Sequence, residues 1–342
     1  MRYKLLGKSG LRVSELCLGT MTFGEDWGWG ASNEESRKMW DAFAEAGGNF
    51  VDTSVNYTNG TSESFVGEFL AADRDHFVVA TKYSLSTRRD DPNFGGNHRK
   101  NMVLSLEKSL KRLGTDYIDL YWLHMWDFTT PIEEIMRALE DVVRAGKVLH
   151  LGISDSPSWV AAQANTIATL RGWSPFVALQ VPYSLASRDV ERDLLPMARA
   201  FEMAVTPWAI MGGGVLTGKY NTDNGEPTRY DREGVGPKGR TLAEEVMQVA
   251  QEVGRTPAQV AINWVRQQQA RGLIIPILGA RTEAQLRDNL ASVEWELTPE
   301  QLQRLDAANP SAPGFPISFL TSDDVRELVF GDTFALLDTH RH

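Results

Sequence analysis

Short, nearly unbroken apolar runs alternate along the chain with longer segments of helical periodicity, and this alternation leaves few folds open. The runs are Glu15–Leu18, Asn49–Val51, Phe77–Ala80, Tyr117–Leu123, Val148–Ile153, Phe176–Val181, Met203–Trp208 and Leu273–Ile277. A strand with one face in water alternates apolar and polar residues, whereas a strand covered on both faces does not. These runs are therefore read as eight parallel strands inside a helical shell. Repeated strand–helix order implies a parallel sheet, and eight units can close on themselves as a (β/α)8 TIM barrel. A doubly wound open sheet is the structural alternative.

Capping residues mark the helices between the runs. Ser32-Asn33-Glu34-Glu35 is a capping box; Met39, Trp40 and Phe43 share the face that follows, and Gly47-Gly48 stops the helix. Thr130-Pro131-Ile132-Glu133 repeats the device with proline at the first helical position, and Gly146 ends that segment. Thr241 with Glu244, Thr256 with Gln259, Thr282 with Gln285 and Thr298 with Gln301 are read as further starts. Strand ends fall at Gly19, Asp52, Lys82, His124, Ser154, Gln180, Trp208 and Pro276, spaced by about 30 residues, the length of one βα unit, except at two longer gaps. Those gaps hold insertions after the third strand (Ser84–Asn97) and the seventh (Gly212–Arg240). In a barrel such loops lie on the face where chemistry is done. The tail from Ser311 to His342 has no place in the barrel and is expected to close over its mouth. No linker divides the chain, so residues 1–342 are read as one domain.

Composition narrows the function classes. With 35 Lys+Arg against 45 Asp+Glu the formal charge is −10, which argues against a binder of nucleic-acid backbone but allows a small phosphorylated ligand held by local cations. The lone cysteine, Cys17, excludes an intrachain disulfide. No apolar run approaches the ~18 residues of a membrane helix, and the start, Met1 to Lys8, breaks too early for a signal sequence. The expectation is a soluble cytoplasmic protein acting on a small molecule, with neither nucleic acid nor membrane as partner.

Asp52, Lys82 and His124 each end an apolar strand, which points them at a common mouth, and Tyr57 follows just beyond the second strand. A single strand-end aspartate is usually a turn former or cap; three consecutive units ending in ionisable residues are harder to dismiss. Tyrosine is a poor acid near neutral pH, with a pKa of about 10. A cation beside it stabilises the phenolate, and Lys82 in that role would lower the value by ~1–3 units. Asp52 would keep Lys82 charged, and His124 would donate a hydrogen bond to a substrate oxygen from the other side. Together they would hand a proton to a developing alkoxide. The sequence has no metal-ligand cluster, so a bound hydride donor, not a metal, is the natural complement.

The stretch Asp52-Thr53-Ser54-Val55-Asn56-Tyr57-Thr58-Asn59-Gly60-Thr61-Ser62-Glu63-Ser64-Phe65-Val66-Gly67 resembles the signature of the aldo-keto reductase superfamily. The resemblance runs from Leu16-Cys17-Leu18-Gly19-Thr20-Met21 to Gln285-Leu286-Arg287-Asp288-Asn289. Within the superfamily the chain is similar to bacterial members akin to the potassium-channel β-subunits and aryl-alcohol dehydrogenases, which are (β/α)8 barrels using NADPH and no metal. The resemblance implies that Asp52, Tyr57, Lys82 and His124 form the catalytic tetrad, with Tyr57 the proton donor. It implies that Ser154, Asp155 and Gln180 hold the nicotinamide carboxamide and that Tyr183 stacks on the nicotinamide ring. Trp208-Ala209-Ile210 and the segment Gly212 to Tyr220, including Gly214, Leu216, Gly218 and Lys219, would wrap the pyrophosphate. Arg229 would lie near the adenosine phosphate, and Gly279, Arg281, Gln285 and Asn289 at the adenine end. Gly19, Thr20, Met21 and Asp52 are carried over as cofactor-binding positions too. Lys219, Arg229, Arg281 and the helix start at Thr282 supply positive potential, which favours NADPH over NADH. Asp155 stands where many relatives have Asn; a carboxylate accepts from an amide but cannot donate to its oxygen. Arg281 stands where channel-subunit relatives often have a smaller polar residue.

Trp27, Trp29, Phe94, Trp126 and Ile210 lie in loops after strand ends. With Tyr57 and His124 they would form a substrate wall for apolar or aromatic carbonyl compounds; the alternative is that the rings only pack the loops. Trp40 and Trp264, at helical spacing, are read as core. Gly213 to Lys219 fits most of a P-loop, but Tyr220 stands where Ser or Thr must bind magnesium. No G-x-G-x-x-G follows a strand. His340 and His342 read as a solvated tail, and Gln267-Gln268-Gln269 as a helix end. The expected activity is reversible NADPH-dependent reduction of aldehydes or ketones, with aryl aldehydes, reactive metabolic aldehydes or toxin and xenobiotic ketones as substrates, a detoxifying role among them. The alternatives are a redox-reading interaction protein that binds cofactor and turns over slowly, and a barrel lyase using Lys82 as a Schiff-base amine.

Overall fold

The computed structural model describes residues 1–221 and 232–338. Arg229, His340 and His342 lie outside the described residues. The chain enters through an antiparallel hairpin, β1 (Tyr3–Leu5) and β2 (Arg12–Ser14), that the sequence pattern did not reveal. Strands β3 (Cys17–Gly19), β4 (Phe50–Asp52), β5 (Val78–Tyr83), β6 (Ile118–Leu123), β7 (Val148–Ser154), β8 (Phe176–Gln180) and β9 (Ala204–Val205) then pair in sequence order, all parallel. The expected last strand is present but split in two. β10 (Leu273–Ile274) pairs with β9, and β11 (Ile277–Leu278) pairs with β3. Only Ile275 and Pro276 separate them, so one extended segment joins the seventh barrel strand to the first and the ring closes. Proline has no N–H for a ladder, but the Pro276 carbonyl still accepts from Cys17 N at 2.9 Å.

Apart from β8, whose register with β7 shifts so that Val177 and Ala178 fall in one cluster, the strand positions sort by face as buried parallel strands require. Cys17, Phe50, Val78, Ala80, Leu120, Trp122, Val177, Ala178, Ala204, Ile275 and Ile277 pack together, and Leu6 and Val13 from the hairpin join this cluster. The alternate residues, such as Leu18, Val51, Val79, Tyr121 and Leu123, belong to the larger core shared with the helices. The interior is packed, not hollow, as in barrels of this size.

Around the ring lie α1 (Asn33–Glu45), α2 (Thr61–Leu70), α3 (Arg99–Leu113), α4 (Ile132–Arg144), α5 (Ser158–Arg171), α6 (Leu194–Ala200), α7 (Pro237–Val253), α8 (Pro257–Arg266), α9 (Glu283–Leu290) and α10 (Pro299–Ala308). Ser32, Thr256, Thr282 and Thr298 cap their helices as the sequence suggested, and Thr298 with Gln301 forms a full capping box. Two starts differ. Pro131 is extended (ψ 137°) and is itself the cap of α4, because the Thr130 hydroxyl is drawn to Asp127 Oδ2 at 2.7 Å. Thr241 lies inside α7, which begins at Pro237, where proline's fixed φ suits a first turn.

The tail forms α11 (Ile317–Leu320) and α12 (Asp323–Phe330). Its first residues pack beside α6, where Arg192 Nε donates to Pro313 O at 3.3 Å, and Phe315, Leu328, Val329 and Leu336 face solvent. Among the described residues no hydrogen bond or ion pair runs from the tail to Tyr57, Lys82 or His124. Among the described residues no helix is long and apolar enough to cross a membrane.

Candidate active site

Neighbouring barrel strands bring Asp52 and Lys82 together: Asp52 ends β4, whose register sets it opposite Ala80 of β5, two residues before Lys82. The Lys82 side chain is fully buried, and its ammonium donates to Asp52 Oδ2 in a short ion pair, to Thr53 O at 2.8 Å and to Tyr57 Oη at 3.1 Å. Asp52 Oδ1 accepts from Gln180 Nε2 at 3.0 Å. All three ammonium protons and both carboxylate oxygens are thus engaged. Tyr57 opens a tight turn, Tyr57–Gly60, in which Thr58 and Asn59 have φ of 43° and 56°. Thr58 Oγ1 donates to Phe23 O at 2.6 Å and accepts from Ser62 N at 3.1 Å, which fastens that turn. His124, just past β6, has its ring centre 6.1 Å from that of Tyr57, nearly perpendicular to it.

The electrostatics correct one expectation. Burial raises the Tyr57 pKa; Lys82 pulls it down, Asp52 pushes it up again, and the result stays above the ordinary 10. The ammonium was expected to make the phenol acidic, but Asp52 cancels much of its field while desolvation penalises the phenolate. Tyr57 therefore keeps its proton at neutral pH. Burial pulls Lys82 down, yet Asp52 and Tyr57 carry it above its usual value, so it stays charged. Burial, and then Lys82, push His124 well below 6.5, so it is neutral. Its Nδ1 lies 3.3 Å from Ser54 Oγ, which is also 2.7 Å from Asn56 Oδ1. The Ser54 hydroxyl has one proton for two acceptors, and its choice sets which nitrogen of His124 carries the hydrogen.

Aromatic rings gather at the same rim. Trp27 lies edge-on to Tyr57 with ring centres 6.5 Å apart, and tilted to Trp29 at 5.7 Å. Trp126 meets Trp159 at 6.3 Å and Phe128 at 6.3 Å. Trp159 was missed because it sits on the first turn of α5 and reads as an ordinary helix residue. Phe94 is not part of this group: its ring lies between Arg88 (4.2 Å) and Lys108 (4.8 Å), packing its own loop. Ile210 is buried in the core.

Comparison with known proteins agrees with this geometry. The family model described as "Aldo/keto reductase family" matches residues 15–310. The chain belongs to the aldo/keto reductase family. It is 39% identical over 332 residues to a norsolorinic acid reductase of Aspergillus flavus, covering 92% of this chain and 83% of that one. It is 38% identical to the aryl-alcohol dehydrogenase [NADP(+)] of Phanerodontia chrysosporium, covering 94% and 87%. A putative aryl-alcohol dehydrogenase of Saccharomyces cerevisiae is also 38% identical, covering 94% and 90%. The protein is an oxidoreductase of the carbonyl–alcohol class.

An aldo/keto reductase needs a place for a nicotinamide cofactor, and the residues present fit one. Ser154 ends β7 with its hydroxyl buried and without a hydrogen-bond partner among the described residues, and Gln180 ends β8 beside it, opposite in register. Such an orphaned donor calls for a polar ligand group. Asp155 follows with φ 39°, its Oδ1 accepting from Trp208 Nε1 at 3.2 Å. Past Trp208, Ala209 has φ 53°, and Gly212, Gly213, Gly214 and Gly218 all have positive φ, giving a glycine-lined turn with the Lys219 stem lying along Gly214 and Leu216 buried beneath. Near the first strand, Gly19 backs on Ile277, Thr20 bonds Ser62 at 2.8 Å, and Met21 follows in the loop. At the far end Gly279 is open to space, Asn289 Nδ2 donates to Gly279 O at 3.3 Å, and Arg281 lies over Trp29 at 5.6 Å.

Two carried-over roles are not where the resemblance put them. Tyr183 has no exposure: its ring packs on Trp264 at 5.4 Å and its hydroxyl donates to Glu191 at 2.7 Å. It is a core residue, and the partly exposed Trp208 is the aromatic beside Asp155. The start of α9 is also less open than expected. Glu283 N donates to Glu35 Oε1 at 2.7 Å, Gln285 N to Thr282 Oγ1 at 3.3 Å, and the Gln285 side chain accepts from Arg281 N at 2.9 Å. A carboxylate already sits where an anion was expected.

Proposed function

We propose that this protein reduces aromatic aldehydes and ketones to alcohols with NADPH, and that Tyr57 is the proton donor. The reading is carried by one observation: the Tyr57 hydroxyl lies 3.1 Å from the fully buried Lys82 ammonium, whose pKa Asp52 and Tyr57 hold above its usual value. The cofactor, when bound, supplies the hydride. Tyr57 enters the reaction protonated, because burial holds its pKa above the ordinary value. As the substrate oxygen gains negative charge, the phenol proton moves from Tyr57 Oη to that oxygen. The phenolate left behind lies beside the Lys82 ammonium, which strengthens the Oη–H donor only as charge develops. Asp52 and Thr53 O keep Lys82 from swinging away. Neutral His124, its ring centre 6.1 Å from that of Tyr57, donates from Nε2 to the substrate oxygen once the Ser54 proton turns from Asn56 Oδ1, 2.7 Å away, to Nδ1. The Trp27–Trp29–Tyr57 cluster and Trp126 suit a flat aromatic substrate, and the relatives named for aryl alcohols and norsolorinic acid support that class. The relative named for NADP(+) supports the phosphorylated cofactor. Alcohol oxidation requires Tyr57 to give up its proton first, so it should rise with pH.

The test is Tyr57→Phe. General acid catalysis contributes roughly 10²–10⁴-fold, so NADPH-dependent reduction of an aryl aldehyde should fall by that range while NADPH still quenches tryptophan fluorescence. Turnover near the parental rate would remove Tyr57 from the mechanism.

A further inference from the structure

Arg112, at the C-terminal end of α3, is not in the mouth, yet it holds the turn that carries Tyr57. Its Nη1 donates to Val55 O at 2.7 Å, two residues before Tyr57, and its Nη2 lies 3.5 Å from Asn59 O, two residues after. The guanidinium therefore spans the segment from below. Gly60 fits the same picture. Its φ is 102°, and a Cβ there would lie 2.1 Å from the Arg112 Cζ, so the backbone rests directly on the guanidinium. Arg112 is itself locked by Glu63 of α2, whose carboxylate has no exposed surface and accepts from Nη1 at 3.1 Å. The other oxygen of Glu63 accepts from Thr81 Oγ1 at 2.7 Å, and Thr81 precedes Lys82 on β5. One chain of contacts thus runs from the strand that presents the ammonium, through Glu63 and Arg112, to both flanks of the residue that presents the phenol.

That connection matters because the turn is not a conformation it would hold by itself. Thr58 and Asn59 are in the left-handed region, which persists only where the surroundings over-determine it. A planar guanidinium offers several donors in fixed directions, and a lysine offers one point charge. We propose that Arg112, clamped by Glu63, is a positioning residue that sets the distance between the Tyr57 hydroxyl and Lys82. The proposal rests on Tyr57 being the acid, and goes beyond it by assigning a device outside the mouth.

Replacing Arg112 alone strands the buried Glu63 charge and endangers the fold, so the informative variant is Arg112→Met with Glu63→Gln, beside Arg112→Lys. A misplacement of about 1 Å can cost 10²-fold, so kcat should fall roughly 10- to 100-fold. KM and the NADPH dissociation constant should stay within about three-fold, because the mouth is untouched. In a Tyr57→Phe background the same pair of changes should have almost no effect on kcat, since the group being positioned is gone. 3-Fluorotyrosine at position 57 gives a readout independent of turnover: one sharp ¹⁹F line in the parent, a broadened or doubled line in the variant. A kcat within two-fold of parental, or an equal loss with and without the Tyr57 hydroxyl, together with an unchanged ¹⁹F line, overturns the proposal. If Tyr57→Phe itself keeps full turnover, the acid assignment falls, and the ¹⁹F line alone then decides whether Arg112 holds the turn.

Discussion

Asp155→Asn should stabilise the protein, and by an amount that depends on pH. Asp155 lies just past β7, partly buried between the Trp208 indole and the loop of Trp126, whose backbone N–H reaches its carbonyl at 3.5 Å. Burial drives its pKa up from 3.8 to about 6, against the hydrogen bond from Trp208 and the pull of Lys82. Each pH unit of displacement corresponds to ~1.4 kcal/mol, so the ionised carboxylate costs the folded state up to about 3 kcal/mol. The sign follows from the direction. Below 3.8 the group is protonated in both the folded and unfolded chain and costs nothing. The cost appears as pH rises past 3.8 and is complete just above 6. Asparagine has the same size, keeps an oxygen for Trp208, tolerates positive φ as well as aspartate does, and carries no charge. In urea unfolding at pH 4.5, 5.5, 6.5 and 7.5, the gain of the variant over the parent should be about 1 kcal/mol at 4.5 and grow to roughly 2–3 kcal/mol at 7.5. A gain identical at all four pH values would mean that packing or backbone preference, not the buried charge, is responsible. A parent more stable at 7.5 would reverse the argument altogether.

Two further outcomes follow from the packing. Among the described residues, Lys82→Met leaves the buried Asp52 carboxylate with Gln180 as its one hydrogen-bond donor. Stranding one member of such a pair costs about 3–5 kcal/mol, so the melting temperature should drop by several degrees along with turnover, and Asp52→Asn added to it should recover stability but not activity. Gly152→Ala puts a methyl 2.2 Å from the Trp122 ring inside the barrel; overpacking of this kind costs about 1–3 kcal/mol or more, to be read as a lower urea midpoint with an unchanged far-UV spectrum. A midpoint within error of the parent would show that the interior yields more than its contacts suggest.

The parts of this molecule written in the sequence are those governed by neighbours along the chain. Ser32, Thr256, Thr282 and Thr298 each cap the helix that follows because a short side chain reaches an N–H three residues on, whatever the rest of the chain does. Buried parallel strands announce themselves as unbroken apolar runs for the same local reason. The β1–β2 hairpin stayed hidden because it is three residues a side and its buried apolar residues, Leu6 just past β1 and Val13 in β2, pack against the inner cluster that only the closed ring creates. Thr241 misled for the complementary reason: a capping pattern is also an acceptable helix interior, and Pro237 supplied an earlier start.

Which groups meet at the site was legible, but what they do to one another was not. Strand order places Asp52, Lys82 and Tyr57 together, and the hydrogen bonds follow. The direction of the Tyr57 pKa is a contest between a cation at one hydrogen-bond length, a carboxylate on the far side of that cation, and the loss of water around the phenol. A sequence names the cation and says nothing of the water. Tyr183 failed in the same way. Its motif placed it near the cofactor, but Trp264 and Glu191, distant in sequence, give its ring and hydroxyl better partners inside the core. Trp208, with an exposed face and a carboxylate to hold its indole, takes the position by the mouth. Aromatic rings go where both the flat face and the polar tip are satisfied, and that condition is fixed by tertiary neighbours rather than by the residue's place in a motif.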